Sequence, residues 1–72
     1  MTQSERILLH FREVGPLTGA QAMNEYGISH LASRISDLRA AGYPISKTIK
    51  QSKNRYGEVV YFAEYRLEEV NA

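Results

Sequence analysis

The spacing of the apolar residues changes at Gly42 and Pro44 from a helical period to a strand period. Before this point, apolar side chains recur every three to four residues. After it, the segments PISKTIKQ and EVVYFAEYRL alternate and are rich in β-branched and aromatic residues. The intervening SKNRYG contains turn-forming residues, with Gly57 available for a positive φ. The sequence therefore predicts an α+β fold, in which helices precede a C-terminal β-hairpin over about residues 45–67.

Two capping boxes indicate where the first two helices begin. Thr2 is followed three residues later by Glu5, and Thr18 is followed by Gln21 in the same way. A third helix follows a short turn that contains Gly27. The predicted helices span residues 3–13, 19–26 and 30–41.

The third helix has one apolar stripe that is predicted to be buried. Ser29 is the expected N-cap of this helix. The stripe consists of Ile28, Leu31, Ile35 and Leu38. A helix, a turn of about three to four residues with a glycine, and a second helix form the helix-turn-helix arrangement. Leu17 is a candidate for a short third strand at the edge of the hairpin.

Positive charge is concentrated in the middle of the sequence. The 72 residues carry a formal net charge of only +1. Residues 27–57, however, contain six Lys or Arg and one Asp, whereas residues 1–26 and 58–72 are net acidic. A clustered positive field of this kind favours a nucleic-acid partner.

The composition excludes several classes of function. The sequence has no cysteine, and its two histidines are too few for a zinc site. It has no Gly-rich phosphate loop and no nucleophile with a His–carboxylate relay. It also lacks a stretch of about 18 apolar residues that could span a membrane. We therefore expect a single cytoplasmic domain over residues 1–72, with no metal, cofactor, membrane contact or enzymatic activity.

The stretches LTGAQAMNEYGISHLASRISDLRAAGY, NRYG and AEYRL resemble winged helix-turn-helix domains, in particular the short ones encoded by bacteriophages and prophages. This resemblance implies that the chain binds double-stranded DNA in the bacterial host cell, with the third helix in the major groove and the hairpin as the wing. The implied role is transcription regulation or that of a recombination accessory factor. The alternative is a protein-interaction module on the same fold that binds a protein of the host transcription machinery or another protein partner, because one fold can host unrelated functions.

The exposed face of the third helix combines short polar residues with one long arginine, which suits insertion into the major groove. Arg34 is the first candidate for a base contact, because its guanidinium can bond two acceptors of guanine. The alternative is a solvated ion pair with Asp37. Arg39 either contacts a phosphate or braces the wing. His30 either contacts a base or phosphate or is simply exposed at the surface. The expected DNA-binding residues of this helix are Ser29, His30, Ser33, Arg34, Asp37 and Arg39.

The tip of the hairpin is the second candidate contact with DNA. Its charged and amide side chains suit phosphates or a minor groove, although any soluble hairpin needs a polar turn. The expected DNA-binding residues of the tip are Lys50, Lys53, Asn54 and Arg55. Tyr56 is expected to pack against the hairpin instead of stacking on a base.

The last strand has apolar residues on both of its faces. The expected core face consists of Val59, Tyr61, Ala63, Tyr65 and Leu67. Val60 and Phe62 lie on the other face, where they are either an ordinary exposed pair or a surface for self-association or a protein partner. In the protein-interaction alternative, the acidic end EEVNA contributes to the same surface. We expect a monomer in dilute solution that pairs, if at all, on DNA through Val60 and Phe62.

Overall fold

A computed structural model describes residues 1–68, which form three helices and a three-stranded antiparallel sheet. The predicted α+β architecture is therefore confirmed. In chain order the elements are α1 (Gln3–Glu13), β1 (Leu17–Thr18), α2 (Gly19–Tyr26), α3 (Leu31–Ala40), β2 (Ile45–Lys53) and β3 (Val59–Leu67). The acidic segment EEVNA lies outside the described residues, apart from Glu68.

The bounds of α1 and α2 agree with those predicted, and α3 is one residue shorter at each end. Both capping boxes form. Glu5 N donates to Thr2 Oγ1 over 3.1 Å, and Thr2 N donates to Glu5 Oε1 over 2.9 Å. In the same way, Gln21 N donates to Thr18 Oγ1 over 3.2 Å, and Thr18 N donates to Gln21 Oε1 over 3.0 Å. Each box satisfies two backbone N–H groups that have no partner within the helix.

The sheet has the strand order β1–β3–β2, so β3 is its central strand. β2 pairs with β3 over its whole length, from Ile45 opposite Leu67 to Lys53 opposite Val59. β1 pairs with β3 at two positions only, with Leu17 opposite Tyr65. The short third strand expected at Leu17 is therefore present.

The core lies between the helices and one end of the sheet. The predicted stripe of α3 is buried, together with Ile28 in the turn before it. The buried apolar side chains are Ile7, Leu17, Ala22, Ile28, Leu31, Ile35, Leu38, Ile45 and Tyr65. No helix within residues 1–68 is long and apolar enough to cross a membrane.

His10 is the one buried polar residue among those described, and it joins α1 to α2. Its Nε2 lies 3.1 Å from the carbonyl oxygen of Pro16, and its Nδ1 lies 2.6 Å from the hydroxyl of Tyr26. Because a carbonyl oxygen only accepts, Nε2 is the donor. In the neutral ring Nδ1 then accepts from the Tyr26 hydroxyl. His10 therefore has a structural role.

The expected core face of β3 is only half correct. Ala63, Tyr65 and Leu67 pack on the core, but Val59 and Tyr61 are 51% and 67% exposed. A nine-residue strand extends about 30 Å, and the helices cover only one end of β3. The hairpin formed by β2, β3 and the turn between them therefore projects beyond the core, and we call it the wing.

Candidate nucleic-acid interface

The outward face of α3 consists of small side chains. At about 100° per residue, Ser33, Ser36 and Ala40 lie opposite the buried stripe, and all three are exposed. The middle of this face therefore carries no long side chain that would hold a binding partner away from the helix. A helix with such a face can come close to the floor of a major groove.

Arg34 lies at the flank of this face and is already paired. Its Nη2 is 3.3 Å from Asp37 Oδ2, and its side chain is only partly exposed. Its Nε is buried and has no hydrogen-bond partner among residues 1–68. The guanidinium therefore points along the helix toward Asp37. This ion pair is the alternative to a base contact that was expected from the sequence.

Arg39 lies at the opposite flank of α3 and holds the start of the wing. Its Nε and Nη2 donate to the carbonyl oxygen of Ile45, the first residue of β2, over 3.1 and 2.9 Å. The positive charge also lies in the last turn of α3, where the helix dipole favours it. Of the two roles considered for Arg39, the bracing role is the one present in this structure.

The N-terminus of α3 differs from the prediction. His30, not Ser29, occupies the N-cap position, and no side chain accepts a hydrogen bond from the first turn. Ser29 Oγ instead lies 2.9 Å from His30 Nδ1. The expected capping role of Ser29 is therefore wrong, because the helix begins one residue later. Both side chains are exposed, and the N–H groups of the first turn have no side-chain cap.

Asn54 organises the turn at the tip of the wing. Its Oδ1 accepts hydrogen bonds from the backbone N–H groups of Tyr56 and Glu58, over 2.9 and 3.1 Å. Its Nδ2 donates to Glu58 Oε1 over 3.2 Å. Gly57 closes the turn with a φ of +79°, a conformation that glycine adopts without steric cost. The polar groups of the Asn54 side chain are thus already bonded within the turn. Contact between Asn54 and DNA stays a prediction.

The basic side chains of the wing differ in how far their charge is neutralised. Lys50 Nζ lies 3.7 Å from Glu64 Oε1. Lys53 and Arg55 are exposed, and neither forms an ion pair with any residue in the described range 1–68. Lys53 is about 26 Å along β2 from Ile45, at about 3.3 Å per residue. The wing therefore carries free positive charge far from α3.

Two clefts adjoin Phe62 of β3. One, of about 400 Å³, lies between Phe62 and the start of α3 at His30. The other, of about 500 Å³, lies between Phe62, Val60 and the start of α2. Val60 and Phe62 are 39% and 38% exposed. The apolar pair expected on this face is therefore accessible.

Several features of this surface are absent from the predictions. Ala40 belongs to the outward face of α3, and the exposed side of the wing includes Ile49, Val59 and Tyr61. The helical period marks Ala40 as outward, but a small apolar residue gives no signal of contact. Within the described part of the chain, no group of three or more His, Cys, Asp or Glu could hold a metal ion.

A family model described as a winged helix-turn-helix domain matches residues 2–70. The match covers nearly the whole sequence and agrees with the observed order of three helices and an antiparallel sheet. No curated protein and no solved structure matches the chain significantly. A domain of this kind suggests DNA binding in general.

Proposed function

Because the chain belongs to the winged helix-turn-helix family, we propose that it binds double-stranded DNA with α3 in the major groove and the wing on the neighbouring backbone. The observation that carries the proposal is the small, exposed outward face of α3, joined through Arg39 to a wing with free positive charge. A helix without bulky outward side chains can enter the groove, and the cations of the wing can contact phosphates.

The proposed contacts divide into two classes. Ser33, Arg34 and Asp37 on α3 face base edges, and Arg34 has to leave its ion pair with Asp37 to reach guanine. Such an exchange costs little, because a partly exposed ion pair contributes about 0–1 kcal/mol. Ser29 and His30 lie beside the uncapped N–H groups of α3, which are suited to a phosphate.

The basic side chains of the wing are proposed to contact phosphates. Lys53 and Arg55 are the main contacts, since their charges are not neutralised by an acidic residue in the described range. Lys50 contributes less, because Glu64 lies near its ammonium group. Phosphate contacts fix the position of a protein on DNA but do not themselves read the sequence.

We further propose that the protein is a small transcriptional regulator or recombination accessory factor of phage or prophage origin, acting in the bacterial cytoplasm. The support is the resemblance of the sequence to short phage-encoded domains and its lack of any catalytic motif. Sequence-specific binding by α3 serves either role.

An NMR titration of labelled protein with duplex DNA at low and moderate salt tests the proposal. We expect chemical-shift changes in residues 29–39 and 50–56, with weaker binding at the higher salt concentration. Changes confined to α1, or no change at low salt, would contradict DNA binding by this surface.

The exposed Val60 and Phe62 favour a second candidate function, in which the same fold binds a protein partner. In that case, binding of the partner survives when Lys53 and Arg55 are replaced by alanine. It is lost in the Phe62→Ser variant. DNA binding shows the opposite dependence.

A further inference from the structure

Tyr56 lies in the wing tip, residues 53–58, and its side chain has no packing role there. It is 80% exposed, the highest value among the large apolar and aromatic side chains of the described chain. Within residues 1–68 its ring forms no aromatic or cation–π contact. Its backbone N–H is bonded to Asn54 Oδ1, but its hydroxyl has no partner in the same range. The large apolar surface of a tyrosine ring is therefore available to a partner.

Hydrogen bonds fix the backbone of the turn that carries Tyr56. Asn54 N donates to Glu58 O, and Gly57 N donates to Asn54 O, each over 3.0 Å. These bonds add to the two that Asn54 Oδ1 accepts from the turn. Because the backbone is ordered before binding, mainly the Tyr56 side chain loses freedom on contact. An ordered loop lowers the cost of binding in this way.

The charges beside Tyr56 favour a nucleic acid as the partner of its ring. Lys53 and Arg55 are exposed, and neither forms an ion pair with any residue in the range 1–68. Glu58 is the one carboxylate of the wing tip, and its Oε1 accepts from Asn54 Nδ2. Cations that contact the backbone, combined with an aromatic side chain that stacks on bases, are typical of binding to unpaired nucleotides.

A single aromatic side chain gains most from a base that is already outside the stack. Stacking of one base on such a side chain changes affinity by about 5- to 150-fold. In an intact duplex the neighbouring base pairs cover both faces of each base, and opening one step consumes a comparable free energy. The cost is smallest for a base that is already unpaired. The wing tip is therefore better suited to an unpaired base than to an intact duplex.

We propose that Tyr56 stacks on an unpaired base beside the duplex segment that α3 occupies. This inference rests on the proposed function and adds the class of DNA that the protein prefers, which is a duplex interrupted or ended by unpaired nucleotides. Lys53 and Arg55 contact the phosphates next to that base. Because the wing projects beyond the helices, its tip reaches DNA outside the segment that α3 covers.

Affinities for a matched set of DNAs test the proposal. Each duplex of the set carries one unpaired nucleotide, at successive positions, and the intact duplex and the single strand are the references. We expect the protein to prefer an unpaired nucleotide at one position or a few neighbouring positions. Tyr56→Ala should lose about 5- to 150-fold in affinity for that DNA and bind the intact duplex nearly unchanged. Tyr56→Phe keeps the ring and should keep the preference.

Tyr61→Ala is the matched control. Tyr61 is also an exposed tyrosine of the wing, but it lies on β3 and outside the tip. The variant removes the same side chain, and we expect it to keep the preference for the unpaired nucleotide. Both alanine variants should fold, because Tyr56 contributes only its backbone N–H to the turn and Tyr61 is exposed.

A fluorescent base provides a second measurement, which uses the unchanged protein. 2-Aminopurine at the preferred unpaired position loses emission when an aromatic ring stacks on it. We expect the unchanged protein and Tyr56→Phe to quench this emission, and Tyr56→Ala to quench it much less. No quenching by saturating unchanged protein, or equal quenching by Tyr56→Ala, would overturn the proposal.

The outcomes separate this inference from the proposed function. Failure to bind any of the DNAs at low salt would refute both, and so would tighter binding to the single strand than to every duplex. Equal affinities for the intact and the interrupted duplexes would refute only the stacking of Tyr56. Equal losses in Tyr56→Ala and Tyr61→Ala would do the same.

Discussion

The guanidinium group of Arg39 donates two hydrogen bonds, of 3.1 and 2.9 Å, to the carbonyl oxygen of Ile45. One side chain thus joins the last turn of α3 to the first residue of the wing. Pro44 has no N–H of its own to donate at this junction, and Gly42 and Tyr43 bond back to the end of α3. The Arg39 contact therefore helps to set the direction in which the wing leaves the core.

Replacement of Arg39 by alanine should destabilise the protein. Hydrogen bonds from a charged donor contribute about 1.5–3 kcal/mol, and partial exposure reduces this value, so we expect a loss of about 1–2 kcal/mol in urea denaturation. Arg55→Ala is the control and should stay within about 0.5 kcal/mol. Unchanged stability of Arg39→Ala together with weaker DNA binding would instead identify Arg39 as a phosphate contact.

The wing should contribute to the salt dependence of DNA binding. Each phosphate contact adds about 0.9 to the slope of log affinity against log salt. The double variant Lys53→Ala, Arg55→Ala should therefore reduce the slope by up to about 1.8. A control that replaces Arg12 and Arg66 removes the same charge outside residues 27–57 and should leave the slope nearly unchanged. Equal effects of the two double variants would assign the slope to overall charge.

Arg34 should affect the choice of DNA sequence more than general affinity. If its guanidinium bonds guanine at two acceptors, Arg34→Ala costs about 1–3 kcal/mol on a selected site and less on random duplex. Circular dichroism should show a folded protein, because the buried stripe of α3 is unchanged. Equal losses on both duplexes would make Arg34 a phosphate contact. No loss on either would mean that it remains paired with Asp37.

The hydroxyl of Tyr26 should matter for stability, whereas that of Tyr56 should not. Tyr26→Phe leaves Nδ1 of the buried His10 without its 2.6 Å partner. A buried polar group without a partner costs about 1–3 kcal/mol, which thermal or urea unfolding can measure. Tyr56 was expected to pack against the hairpin, but its side chain is 80% exposed at the tip of the wing. Tyr56→Phe therefore removes the same atom from an exposed side chain and is the matched control. Similar stabilities of the two variants would show that the His10–Tyr26 bond contributes little.

Glu5 should make the stability of α1 dependent on pH. The hydrogen bond from the Thr2 backbone N–H is the main cause that lowers the pKa of Glu5 below 4.5. A lowered pKa in the folded state adds stability above the unfolded pKa, and this contribution disappears as the pH falls through the folded pKa. Glu5→Gln should therefore lose less stability than the unchanged protein on acidification. Parallel pH profiles of the two proteins would contradict this contribution.

Local patterns in the sequence predicted the helices well. Each capping box involves residues three positions apart, so Thr2 with Glu5 and Thr18 with Gln21 could be identified without tertiary information. The period of 3.6 likewise separated the buried stripe of α3 from its exposed face. The prediction failed at Ser29. Ile28 is buried in the core and α3 begins at Leu31, one residue later than predicted, so His30 occupies the cap position instead.

The sequence by itself determined the type and order of the elements and which residues of β3 share a face, because helix caps and side-chain periods depend on neighbouring residues. Only the tertiary structure decided that Tyr65 is buried while Tyr61 is exposed, although both lie on the same face. The alternation is the same along the whole strand, and the position of the helices decides how much of it is covered. The pairing of Arg39 with Ile45 was undetermined for the same reason, since it depends on where two separate elements meet.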